Sequence, residues 1–236
     1  MSENAKLTRG PIRGHLVSQT LPAIVGVAAI MSIGLVDAYF IGQLGADALA
    51  AIAFIFPITV AITSLGVGMM VGINSVIARA LGEGDDERAA RRGNFGIVLS
   101  VGLGIVLGLL LFALLDPLFL LMQASDRELP LIRTYMQPFS FGFPLMMAIM
   151  GINGTLRGQG EARKTSLVSI SYAAANWVLD PILITGAFGF EGYGMAGAAY
   201  ATLIGWAIGI AVGLRLLSRT AIPLSLAKIK QCNMRE

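Results

Sequence analysis

Six long apolar stretches, nearly free of charged side chains, take up most of this 236-residue chain. They run Leu16–Ile41, Ala48–Leu81, Asn94–Leu115, Leu131–Leu156, Thr165–Phe188 and Gly194–Leu217. Each reaches the roughly 20 residues that a helix needs to cross a bilayer. Backbone N–H and C=O groups find no partners in lipid, so such stretches satisfy them internally, as α-helices. The ten-residue alternating pattern of a transmembrane barrel is absent. Composition agrees: 56% of residues are hydrophobic and 13% charged, against about 25% charged in soluble domains. A soluble enzyme and a disordered chain are thereby excluded. The first stretch is too long for a cleavable leader, carries an acid, and is followed by five more stretches. The second holds Pro57 and is too long for one crossing, so it is expected to kink or to extend past the membrane.

The charges divide by side. Lys6, Arg9 and Arg13 precede the first stretch; Arg79, Arg88, Arg91 and Arg92 lie between the second and third. Arg157, Arg163 and Lys164 lie between the fourth and fifth, and Arg215, Arg219, Lys228, Lys230 and Arg235 follow the sixth. All 15 fall on one side, and only Arg127 and Arg133 on the other. The basic side is expected to be cytoplasmic, with both termini there, in the cytoplasmic (inner) membrane. The net charge of +3 is therefore read as topology and not as nucleic-acid binding. This divides the chain into an amino-terminal cytoplasmic segment at 1–14, a six-helix transmembrane part at 15–218 and a cytoplasmic tail at 219–236.

Small residues recur every four positions: Ser64, Gly68, Gly72; Ser100, Gly104, Gly108; and Gly197, Ala201, Gly205, Gly209, Gly213. In lipid, such ridges let helices approach closely, and bundle packing is the expected use. Arg79-x-x-Gly82-Glu83 and Arg157-x-x-Gly160-Glu161 echo one another and read as helix-end capping. Met146, Met147 and Met150 read as core filler. Asp116, before Pro117, reads as a helix terminator.

Two acids lie inside the stretches, Asp37 and Asp180. A charge at bilayer depth costs about 2.5–3.5 kcal/mol, which marks such acids as functional candidates. At 1.5 Å per residue, Asp37 lies about 7–8 Å below the outer end of the first helix at Gly42. Asp180 lies about 12 Å below the outer end of the fifth at Phe188, Thr202 about 12 Å into the sixth, and Tyr135 about 6 Å into the fourth. Asn176 shares a helix face with Asp180. These five residues can form one oxygen-rich cluster. Gly34, Ala29 and Gly26 beside Asp37 suggest that its face meets the bundle, although Ile33 and Ile30 share that face. Paired carboxylates in a poorly solvated site exchange a proton, and with an amide carbonyl and a hydroxyl they also make a cage for Na⁺. Both alternatives stand. Asn153 is polar but some 27 Å along a straight helix from Tyr135, unless Pro138 and Pro144 bend it. Pro22 permits a hinge or a static kink. Asp180-Pro181 is expected to break the fifth helix and free a carbonyl. No phosphate-binding loop, H-E-x-x-H or G-x-S-x-G occurs, so neither catalysis nor a cofactor is expected. The lone His15 and lone Cys232 suggest no further metal site.

Leu35–Gly45 (L-V-D-A-Y-F-I-G-Q-L-G), Ala78–Asp85, Asn153–Lys164, Asn176–Ile184 (N-W-V-L-D-P-I-L-I) and Gly194–Thr202 together resemble the amino-terminal half of multidrug and toxic compound extrusion (MATE) transporters. The pair of acids is most similar to the DinF-like branch. The resemblance implies an all-α membrane fold, a six-transmembrane-helix bundle forming one lobe of a MATE-type transporter. It implies export of amphipathic organic cations by antiport with H⁺ or Na⁺. Asp37 would be the main coupling acid, with Asp180, Asn176 and Thr202 sharing its proton or Na⁺. Tyr135 and Asn153 match further polar positions, and Pro22 matches a proline about which the first helix bends. The family has two six-helix lobes, so a second lobe, either the other half or a second copy, is the expected partner alongside membrane lipid. The tail at 219–236 would then be a truncated inter-lobe linker. A lipid-linked oligosaccharide flippase is the alternative of the same fold class, but such proteins favour cationic cavities. A non-transporting assembly subunit is the alternative of another class.

Overall fold

A computed structural model describes residues 12–220 and residue 222. Lys6, Arg9, Lys228, Lys230, Cys232 and Arg235, and the side chain of His15, lie outside the described residues, as do the readings placed on them. Six α-helices follow in order: α1 (Ile12–Gly42), α2 (Ala46–Glu83), α3 (Asp86–Leu121), α4 (Glu128–Gly158), α5 (Ala162–Leu183) and α6 (Met195–Leu217). Among the described residues there is no strand.

Five of the helices are long and apolar enough to cross a membrane. The exception is α5, whose 22 residues span about 33 Å but carry Thr165, Ser166, Ser169, Asn176 and Asp180 on the buried face. In an ordinary bilayer those side chains must be turned from the lipid, and the bundle does so by packing α5 between α1 and α6. The second helix runs its 38 residues without interruption, so it extends beyond the membrane core.

The core is built around α4, which packs on α2, α3 and α6. Its most apolar window is 78% buried, against 17% for α1. Met146 and Met147 are buried in that core, as expected of filler. Two of the three small-residue ridges are helix contacts. A Cβ on Gly104 would stand 2.7 Å from the Phe143 carbonyl oxygen, and one on Gly108 2.4 Å from that of Ser140, so α3 and α4 touch backbone to backbone. In α6, Gly197, Ala201, Gly205, Gly209 and Gly213 are all buried. The α2 ridge differs: Gly68 and Gly72 have no neighbour within 4 Å and face outward. Spacing alone cannot say whether a ridge has a partner. Gly108→Ala is accordingly expected to destabilise the chain by about 1–3 kcal/mol, and Gly68→Ala to leave it unchanged or raise it by up to ~1 kcal/mol. Thermal unfolding of the two variants in one detergent checks the contrast.

Two proline readings are corrected. Asp116 does not terminate α3, which continues through Pro117 to Leu121. Its carboxylate instead takes a two-pronged bond from Arg133 of α4, Nε and Nη2 each donating at 2.7 Å. Asp180-Pro181 does not break α5 at the acid, because the helix runs on to Leu183 and the Asp180 carbonyl accepts from Ile184 N–H at 2.9 Å. The fifth stretch nevertheless ends well before Phe188. Gly186 and Gly189 take left-handed φ values of 78° and 84°, and a 3₁₀ turn at Ala187–Gly189 leads the chain back. Tyr193 N–H then bonds Leu183 O at 2.7 Å, and Gly194 N–H bonds Ile184 O at 3.1 Å. Of the two capping glycines expected by echo, Gly160 is left-handed after α4, but after α2 that role falls to Gly84, not Gly82.

Candidate functional site

Four helix ends converge at the end of the bundle opposite the 83–86 and 158–162 connections: the last turns of α1 and α5 and the first turns of α4 and α6. Each contributes polar side chains. Asp37 lies five residues before the end of α1 and Asp180 three before the end of α5, nearer the helix end than counting to Phe188 implies. Tyr135 and Thr202 each lie seven residues inside their helices. At 1.5 Å per residue the four sit about 5–11 Å from those ends.

The structure brings five of the expected residues together. Asp180 and Asn176 are fully buried, Tyr135 and Thr202 nearly so, and Asp37 is half-buried. The carboxyl groups of Asp37 and Asp180 lie within hydrogen-bonding reach of each other, so that a single proton can bridge them. The Tyr135 hydroxyl is in reach of Thr202 and in the electrostatic field of both acids. Thr202 Oγ1 donates to Asn176 Oδ1 at 3.4 Å and approaches Ala198 O at 3.1 Å. Asn176 Nδ2 donates to Tyr172 O at 3.0 Å.

The donors run out at the acids. Among the described residues, Asp37 Oδ1 and both Asp180 oxygens are buried and receive no hydrogen bond. Leaving a buried acceptor unmade costs about 1–3 kcal/mol, and more for a charged one. An anchoring acid would be expected to hold a donor on a neighbouring helix, and neither acid does. What the arrangement can do chemically is hold a small cation or a shared proton among oxygens.

Asn153 is not brought to this group on the visible contacts. It lies 18 residues along an unbroken α4 from Tyr135, buried, with its Oδ1 unpaired. Next to it Gly154 abuts Met70 and Ile73 of α2, so this stretch of α4 faces α2. Pro22 sits in α1 with its carbonyl accepting the Ser166 hydroxyl of α5. Of the small residues beside Asp37, Gly26 packs on Ser166 and Ala29 is buried, whereas Gly34 has nothing near it.

Sequence reasoning missed the residues that hold α1 to α5 and to the connection before it. Gln19 Nε2 donates to Gly160 O at 2.9 Å, and Trp177 Nε1 donates to Ser32 Oγ at 3.1 Å. Each pair is more than 140 positions apart, beyond any local pattern. Gly205 was legible only as part of a ridge. A Cβ there would stand 2.4 Å from Asn176 Nδ2, so this glycine makes the room in which Asn176 sits.

The MatE family model matches residues 22–182. The chain is 35% identical over 217 residues to a protein of Shewanella oneidensis named FAD transporter, covering 92% of this chain and 48% of that one. It is 30% identical over 225 residues to a probable multidrug resistance protein of Bacillus subtilis, covering 94% and 49%. Among solved structures it is similar to a MATE crystal structure in the bent conformation, with TM-score 0.88, 29% identity and coverage of 96% and 50%. A Pyrococcus furiosus MOP-superfamily transporter, described as having a binding pocket of reverse polarity, matches equally with TM-score 0.88. The chain spans about half the length of the relatives it matches, consistent with an amino-terminal lobe. This chain belongs to the MatE family of multi-pass membrane transporters.

Proposed function

We propose that the chain is the amino-terminal lobe of an exporter that antiports amphipathic organic cations against H⁺ or Na⁺, with Asp37 and Asp180 as the coupling site. The observation that carries this is the pair of buried carboxyls facing each other with no protein donor on three of their four oxygens. Asn176 and Thr202 add oxygens to the same site, and Tyr135 closes it on the α4 side. Asn153 would serve the substrate side of the lobe. Binding at the acids would favour one packing of α1 on α5, with Pro22 as the bend, and can shift that equilibrium only by its differential affinity for the two states. A second lobe completes the pathway. Both termini would face the cytoplasm, in the inner membrane. No catalytic step or cofactor is needed.

The relatives' names divide between multidrug export and FAD transport. FAD carries a pyrophosphate, and a lipid-linked oligosaccharide carries one too. The spans offer acids at depth and no mid-span Lys or Arg, which favours a cationic substrate. The same orphan acids argue against a non-transporting subunit.

The test is equilibrium binding of radioactive sodium to the purified chain, with proton release on sodium addition recorded in parallel. Wild type is expected to show saturable binding of Na⁺, or Na⁺-independent proton uptake, that Asp37→Asn weakens at least tenfold, about 1.4 kcal/mol. Unaltered cation and proton binding in that variant would sink the coupling role.

A further inference from the structure

At the opposite end of the bundle, α1 and α5 leave a groove of about 570 Å³ between them. Val17, Leu21 and Pro22 of α1 form its apolar wall, and Arg13 and Arg163 stand at it from the two helices. Two residues before Arg163 in the chain, Glu161 pairs with Lys164 at 3.4 Å. Among the described residues neither Arg13 nor Arg163 has an ion pair or a hydrogen bond.

We propose that this groove binds one anionic phospholipid, with its phosphate between Arg13 and Arg163 and an acyl chain along Val17 and Leu21. Two unpaired guanidiniums on one hollow are complementary to a phosphate, whose oxygens accept their N–H groups in pairs. The apolar wall has no use for a free anion but suits a chain attached to one. Val17 and Leu21 are both more than 60% exposed, and they stand one and five residues after Leu16, where the first apolar stretch begins. A zwitterionic lipid brings its own ammonium and gains less from the pair. A lipid seated here would lie across the α1–α5 seam and against Pro22. The proposal rests on the membrane-spanning fold and not on the export reading, so either can fail alone.

The experiment is native mass spectrometry of the purified full chain after equilibration with phosphatidylglycerol, with phosphatidylethanolamine of the same acyl chains, or with inorganic phosphate. Retention of one phosphatidylglycerol, preferred over phosphatidylethanolamine, is expected. Each guanidinium beside an anionic headgroup is worth roughly fivefold, so R13Q/R163Q is expected to reduce retention at least tenfold. R79Q/R215Q removes the same charge from the same end and is expected to leave retention unchanged. Equal loss in both double variants, equal retention of the two lipids, or displacement of the lipid by inorganic phosphate would overturn the proposal. If R13Q/R163Q fails to unfold cooperatively in lipid-free detergent, R163Q alone carries the test, with roughly fivefold loss expected.

Discussion

Gly197→Val is expected to leave the chain unable to reach its folded state. A Cβ at this position would stand 1.9 Å from the Leu183 carbonyl oxygen and 2.4 Å from its carbon. Both obstacles are backbone, held by the turn in which Tyr193 and Gly194 bond back to Leu183 and Ile184. No rotamer change relieves the clash, so α6 must move off the end of α5. Overpacking at a yielding site costs about 1–3 kcal/mol, and this site yields little. The displacement would also carry Thr202 away from Asn176, and with it one wall of the acid site. Gel filtration and thermal unfolding in detergent check the outcome. A variant that elutes and melts like wild type would mean that the α5–α6 contact is looser than described.

Asp180→Asn is expected to do the reverse, stabilising the chain while removing its coupling. The asparagine keeps the volume and supplies an N–H group to Asp37, whose Oδ1 has no donor. A hydrogen bond to a charged group contributes about 1.5–3 kcal/mol. For a chain of this length that corresponds to a rise in Tm of roughly 3–12 °C. Function and stability pull apart here because the site is built to receive a ligand that the protein itself does not provide. A fall in Tm would identify Asp180 as a structural anchor. That result would count against the export mechanism even if cation binding were also lost.

How far the fold could be read beforehand depends on whether the deciding contact was local. Helix count and order followed from hydropathy, which is a property of one segment at a time. The Asp37–Asp180–Asn176–Thr202–Tyr135 grouping followed from depth along each helix, since helices of a bundle share one axis direction. The end of α5 did not. Ile184, Ala187 and Phe188 continue the apolar run, and the chain turns at the positive φ values of Gly186, Phe188 and Gly189. The ridges of α2 and α3 have the same spacing, yet one meets α4 and the other meets nothing. Asp116 looked like a terminator because its partner, Arg133, lies on another helix. Asn153 looked remote by length, and an unbroken α4 leaves it so.

The pairing of α1 with α5 sets an order of events during synthesis. About 120 residues separate the end of α1 from the start of α5. At 5–20 residues per second, α1 emerges roughly 6–24 s before its main partner exists. During that interval α2, α3 and α4 can assemble with one another, because their contacts are consecutive or nearly so. The first helix waits beside them with Asp37 at membrane depth and no Asp180 to share a proton. The acid site is therefore among the last parts of the lobe to form. A chain truncated before Ala162 and released into the membrane should contain a packed three-helix core and a first helix without its main partner.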